Sequence, residues 1–220
     1  MEQDGTDREA NEQLDTVIEL RRTVRSFTDE VPPKESIEQI IKAGLLAPYA
    51  MPAVAGEKVF RRFFVFERAG ESMAAAVDIA IKQMRENVRK MKSRCESDPS
   101  FARKAGAFVK RLEMIAETGQ VPLAEAPYYI VVAEKKGIPA VEMQSLAHCL
   151  ENMWLKATAL GLGFRLISMT TQMGEDPDFC KLIGLPLGEF GLDGCTVGYA
   201  TEWPPATDRP SFEEAVSWLP

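Results

Sequence analysis

The chain has 220 residues, 45% of them hydrophobic and 27% charged, enough to bury a substantial core in one domain or at most two. Acidic residues outnumber basic ones by 33 to 26, and the net charge of −7 opposes long-range attraction to nucleic acid or an anionic membrane, so any basic site must be local. Cys95, Cys149, Cys180 and Cys195 are widely spread with no CxxC spacing, and His148 is the only histidine, which argues against a zinc centre or a disulfide scaffold and for free thiols in a reducing cytosol.

The opening "MEQDGTDREANEQ" is polar and acidic where a signal peptide would need an apolar run, and residues 1–10 read as a polar tail. No stretch approaches the roughly 20 apolar residues of a membrane span. From Asn11 the apolar positions Leu14, Val17 and Ile18 follow helical spacing, and Arg21 and Arg22 suit the negative end of that helix dipole. The segment "VPPKESIEQIIKAGLLAP" predicts a second helix, with Ile37, Ile40, Ile41, Gly44 and Leu45 on one face, prolines at its start and Pro48 as its stop.

"VFRRFFVF" (59–66) is aromatic and β-branched and predicts a strand. Residues 71–120 change character: Val77, Ile81, Met84 and Val88 recur at helical spacing, "SDPS" interrupts them, and two helices result, a helical insertion that is a candidate lid. Its Met84, Met91, Phe101, Phe108 and Met114 are available to a flat ligand, although Met and Phe are also ordinary core fillers.

"APYYIVVAEKKG" (126–137) is a continuous apolar run and predicts a strand covered on both faces. Residues 139–163 predict the longest helix, apolar nearly all round and so deeply buried in the domain or against a partner subunit, stopping at Gly161. Strands are expected at 164–169 and 193–200 with a short helical piece between them, and Ser211 with Glu214 has capping-box spacing for a closing helical turn. The pattern is one mixed α/β domain over residues 11–220.

Neither a dinucleotide fingerprint nor a P-loop is present, and "GLGFR" at 161–165 follows a helix, where glycine serves as a C-cap. With His148 alone in mid-helix, a serine or cysteine hydrolase has no convincing base, and a packed or dimer-interface histidine is the better reading. No catalytic side chain and no metal ligand is assigned.

Arg21, Arg22 and Arg25, taken alone, read as a solvated helix end. With Thr23 and Phe27 they match the R-R-S-x-R-x-F motif with which chains of the nitroreductase-like family of FMN-dependent oxidoreductases begin. The likeness continues in order through "VPPKESIEQIIKAGLLAP", "APYYIVVA", "ENMWLKATALGLGFRLIS", "LIGLP", "VGYATEWP" and "TDRPSFEEAV", so that the chain resembles the family over residues 14–216.

That resemblance implies an α+β nitroreductase-like fold, a mainly antiparallel sheet flanked by helices, in an intertwined homodimer whose two FMN sites are built from both subunits. By the same resemblance Arg21, Arg22, Thr23, Arg25 and Arg209 would hold the phosphate or ribityl chain. Pro48, Tyr49 and Ala50 occupy the turn that approaches the flavin from the partner, and Ser168, Met169, Thr170 and Thr171 fall where the isoalloxazine is lined. A phosphate monoester, with nearly two negative charges and three acceptor oxygens, needs several such donors converging from different parts of the chain.

The implied activity is hydride transfer from NADH or NADPH through flavin N5 to a small electron-poor acceptor such as a nitroaromatic or quinone, with dehalogenation, flavin fragmentation or a non-catalytic flavin-binding dimer as alternatives. The chain departs from the family where an asparagine and Q-P-W usually follow the A-P-S turn, here "YAMPAVAGEKVF", and where a lysine often stands two before the tail arginine, here Thr207.

Overall fold

The computed structural model describes residues 3–49 and 51–219. The elements are α1 (Gln3–Leu20), α2 (Lys34–Leu45), β1 (Arg61–Glu67), α3 (Glu71–Ser97), α4 (Pro99–Thr118), β2 (Tyr128–Lys135), α5 (Glu142–Ala159), β3 (Gly163–Leu166), α6 (Thr170–Met173), α7 (Pro177–Ile183), β4 (Phe190–Gly198) and α8 (Phe212–Ala215), with 3-10 turns at Met51–Val54 and Pro122–Ala124.

The four strands form one antiparallel sheet in the order β1-β2-β4-β3, with Phe64 opposite Val131, Ile130 opposite Cys195 and Phe164 opposite Val197. Because side chains alternate across a strand, β2 feeds two separate cores. Tyr129, Val131 and Ala133 join Met73, Ala76 and Ala80 of α3, Ala116 of α4 and Phe179 of α7 on one face. Tyr128, Ile130 and Val132 join Ile37 and Ile40 of α2 and Leu146, Leu150 and Met153 of α5 on the other. Burial on both sides explains why β2 reads as an unbroken apolar run.

Several boundaries differ from the sequence reading. Helix α1 starts at Gln3, so most of the expected polar tail is helical. Local carboxylate–arginine and amide–carboxylate pairs four residues apart, Arg8–Glu12 and Asn11–Asp15, support a helix that has no apolar stripe at that end. The longest helix is α3, with 27 residues, not α5, with 18. Helix α5 is not apolar all round: Leu146, Cys149, Leu150 and Met153 are buried, whereas Met143, Gln144, Ala147, His148 and Glu151 are exposed on this chain, so His148 is not packed in the domain core.

The expected third strand stops at Leu166, because the Ile167 amide still reaches Gly194 O at 2.8 Å but the Thr170 amide turns back to Ile167 O at 2.9 Å and opens α6. Helix α4 begins on Asp98, whose carboxylate accepts from the amides of Ser100 and Phe101, which places the break between α3 and α4 at the "SDPS" stretch. The Ser211–Glu214 capping box is formed as its spacing predicts. No described helix is long and apolar enough to cross a membrane.

Two glycines after α5 set the position of the chain's basic segment. Gly161 has φ +70°, a left-handed C-cap that only glycine adopts without strain. A Cβ on Gly163 would lie 2.9 Å from Val24 Cγ1, so the absence of a side chain there lets the segment after α1 run against β3. The contact is a parallel bridge between Thr23 and Phe164, closed by the Val24 amide on Phe164 O at 3.1 Å. Further on, the Thr28 amide bonds Tyr199 O at 2.9 Å and the Thr201 amide returns to Ser26 O at 3.1 Å, which ties the start of the chain to the stretch leading into the C-terminal tail.

Candidate functional site

Those bridges bring together residues far apart in sequence. A cavity of about 770 Å³ is lined by residues 18–23 and Arg25 on one side and by Pro204, Pro205, Ala206, Thr207 and Arg209 on the other. Its charged lining is Arg21, Arg22, Arg25 and Arg209 against the single carboxylate of Glu19, in a chain that is acidic as a whole.

Each arginine is held differently. The Arg21 guanidinium lies 4.7 Å from the centre of the Trp154 ring, a cation–π placement. Its Nε is 3.0 Å from Glu151 Oε1, yet it is buried and makes no aligned hydrogen bond. Arg22 Nη1 donates to Glu19 O at 2.6 Å and Arg21 O at 2.9 Å, and the Trp154 indole N–H donates to Arg22 O at 3.1 Å. Arg25 and Arg209 are exposed and have no ion-pair partner among the described residues. The cavity therefore combines two anchored guanidinia, two free ones and the Thr23 hydroxyl. That donor set fits an anion with several oxygens, such as the phosphate of FMN.

The other residues expected to line the site are dispersed. Ser168 and Met169 line a second cavity, about 450 Å³, between α3, α4 and residues 168–172, and Thr171 is exposed beside it. Thr170 is not available to a ligand: it is fully buried and its hydroxyl shares a 2.8 Å hydrogen bond with that of Tyr129. Four successive residues entering a short helix cannot all face one way, and Thr170 is the one that turns to the core.

Pro48 and Tyr49 sit at the end of α2, away from both cavities in this chain, and Ala50 lies outside the described residues. Their turn is fastened by a buried network. Arg61, only 6% exposed, donates from Nε to Glu134 Oε1 at 2.5 Å, from Nη1 to Gly44 O at 2.7 Å and Ala47 O at 3.2 Å, and from Nη2 to Ser145 Oγ at 2.8 Å. Ser145 in turn donates to Pro48 O at 3.2 Å, while Tyr49 stacks on Phe60 with ring centres 4.0 Å apart and donates to Lys135 O at 3.1 Å. Burial pushes the Glu134 carboxyl above its ordinary range, with Ser145 and Arg61 acting against that shift. Burial likewise raises the Tyr49 phenol, helped by the charges of Glu134 and Glu142.

Trp154 was not singled out by sequence reasoning, although as the one Phe, Tyr or Trp in α5 it was a usable signal. Arg111 and Arg165, beside Ser168 and Met169, were also missed, because nothing in their spacing marks them.

The fold has solved relatives. A BluB-like flavoprotein from Clostridium difficile 630 superposes with a TM-score of 0.70 at 20% identity, covering 94% of this chain and 99% of that one. A nitroreductase with bound FMN from Desulfitobacterium hafniense DCB-2 gives 0.67 at 19% identity, covering 94% and 98%. An iodotyrosine deiodinase bound to FMN and 3-iodo-L-tyrosine gives 0.62 at 21% identity, covering 90% and 95%. Among proteins of curated function, none matches this chain. The sequence itself matches the nitroreductase family over residues 18–199, and the chain belongs to that family.

Proposed function

We propose that this protein is an FMN-dependent oxidoreductase that uses NADH or NADPH to reduce a small, flat, electron-poor compound such as a nitroaromatic or a quinone. The observation that carries the reading is the arginine cavity, where Arg21, Arg22, Thr23 and Arg25 meet Arg209 around a space large enough for a nucleotide phosphate and its ribityl chain. Bound there, FMN would supply the hydride chemistry, so no side-chain acid or base is required of the protein.

The chain's own residues bind and orient. Arg25 and Arg209 would hold the phosphate with charge-assisted bonds, and Arg21, stacked over Trp154 and paired with Glu151, would add positive charge to the cavity wall. Ser168 and Met169 would line the ring, and the α3–α4 hairpin would cover its face as a lid and exclude water. For a nitro acceptor the first step consumes one NAD(P)H and one proton and releases the nitroso product and water.

A homodimer is part of the reading. Exposed apolar residues cluster on α1 (Leu14, Ile18), at the end of α2 (Leu45, Leu46) and in the tail (Trp218, Leu219), surface that a second copy would cover. In such a dimer the Pro48–Ala50 turn would reach the partner's flavin. No polyanion or membrane partner and a cytoplasmic location complete the proposal, in keeping with the acidic charge and the free thiols.

Anaerobic titration tests it. The purified protein should show flavin absorbance, bleach with NADH or NADPH and recover its colour with a nitro compound or quinone. Colourless protein that FMN cannot reconstitute would leave a non-catalytic dimer. Dehalogenation is kept as a second reading because the iodotyrosine deiodinase shares the fold, and release of iodide from an iodophenol would favour it.

A further inference from the structure

Resting on that reading, we propose that the groove between the α3–α4 hairpin and residues 168–172 is the acceptor site and that it selects aromatic carboxylates over their neutral counterparts. The main cavity, about 450 Å³, and a side extension of about 170 Å³ share Met84, Phe108, Leu112, Ser168 and Met169, so they form one continuous groove. Its size falls within the range of about 300–1,000 Å³ usual for small-molecule sites.

The middle of the groove is apolar and incompletely covered. Met84 is buried in its wall, whereas Phe108 is 55% exposed with no ring stacked on it. Two thioethers and an open phenyl face suit a flat aromatic ring, since methionine sulfur makes favourable contacts with ring edges and aromatic pairs gain beyond their buried area. The groove's width is set by Asn87, whose Nδ2 donates to Gln172 Oε1 at 2.5 Å and ties α3 to the segment after β3.

The two ends differ in charge. At the Asn87 end, Lys90 lies 3.4 Å from Glu86, whose carboxylate also pairs with Arg89 at 2.8 Å, and the buried Gln83 Oε1 lacks a donor. At the other end Arg111 and Arg165 line the extension. The one carboxylate there, Glu125, is committed to Arg165 at 2.5 Å, and Arg111 has no ion-pair partner among the described residues. Burial is the main cause that pushes the Arg165 guanidinium down, Glu125 opposes this, and the like charges of Arg25 and Arg111 add smaller downward pushes, so Arg111 is the guanidinium at this end with no carboxylate of its own among the described residues. A carboxylate on the acceptor supplies the missing negative charge, with a guanidinium fork to receive it.

The experiment compares 4-nitrobenzoate with 4-nitrobenzamide, equal in shape but neutral, in the FMN-loaded protein with NADH or NADPH. The expected kcat/KM for the nitrobenzoate is about tenfold higher. In Arg111→Gln the ratio of the two should fall about tenfold, through KM rather than kcat, and Arg111→Lys should restore most of it. Calorimetry with benzoate, with and without FMN, reads the same groove independently of turnover and should show saturable binding weakened by Arg111→Gln.

A ratio near one in the unaltered protein, or a ratio that Arg111→Gln leaves unchanged, would overturn the inference while leaving the flavin reading intact. Failure to bind FMN would instead overturn the functional reading. In that event benzoate calorimetry still decides the groove: saturable binding sensitive to Arg111 supports it, and absent or insensitive binding refutes it.

Discussion

Arg61 and the arginines of the 770 Å³ cavity have opposite fates. Arg61 is sealed between β1, β2, α2 and α5, with Glu134, two backbone carbonyls and Ser145 using its donors. In the 770 Å³ cavity Arg25 and Arg209 keep donors to spare, since both are exposed and unpaired among the described residues, whereas Arg21 is paired with Glu151 and Arg22 with backbone carbonyls. A guanidinium whose bonds are made within the core holds the fold together, whereas one whose donors face the cavity and solvent remains available to a ligand. The contrast separates structure from function where residue type alone does not.

The contrast can be broken most severely at Arg61. Arg61→Met leaves Glu134 as an uncompensated buried carboxylate and should cost about 3–5 kcal/mol in urea denaturation, whereas the double change Arg61→Met with Glu134→Leu should recover most of that loss. If the single variant were as stable as the parent, the network would not be holding the turn at Pro48.

Next in size are the cavity arginines. Arg209→Gln or Arg25→Gln should weaken FMN binding about 10- to 100-fold, the equivalent of about 1.5–3 kcal/mol, by the fluorescence of released flavin. Neither should move the urea midpoint noticeably, since both side chains are exposed. Equal losses of stability at Arg61 and Arg209 would abolish the distinction between the two groups.

Ser145→Ala removes one hydroxyl that accepts from Arg61 and donates to Pro48 O, and should cost about 1–3 kcal/mol in the same denaturation experiment. The smallest effect isolates burial without a cation. Asp193 on β4 has its carboxyl pushed up by burial, with only the Gly194 amide bond opposing this. A carboxyl raised in the folded state contributes stability that is fully present below its unfolded value, about 3.9, and is lost as pH rises through the folded one. Asp193→Asn should therefore gain on the parent as pH climbs from 4 upward, and a gap that narrows instead would show that Asp193 is stabilised by a partner.

Much of the fold could be read from residue order. The period-2 exposure of β2 to two cores was implicit in its unbroken apolar run, and the capping spacings at Ser211 and the "SDPS" break were formed as written. The early start of α1 was not legible, because its support comes from polar pairs four residues apart and not from an apolar stripe. The inward turn of Thr170 was not legible either: a strand-like run gave no sign that the chain would begin a helix one residue after Met169.

By itself, the sequence determined most of the helices and strands and that a basic motif ends the first helix, since both follow from local spacing, capping and turn chemistry. Only the tertiary structure decided that Arg209 joins Arg21, Arg22 and Arg25 in one cavity, that Arg61 is consumed by the core, and that Arg111 and Arg165 share the end of a groove. The physical reason is that whether an arginine is left with free donors depends on which distant acceptors the folded chain brings beside it, and here those contacts are set by the bridge of Thr23 to Phe164 and by the return of the tail.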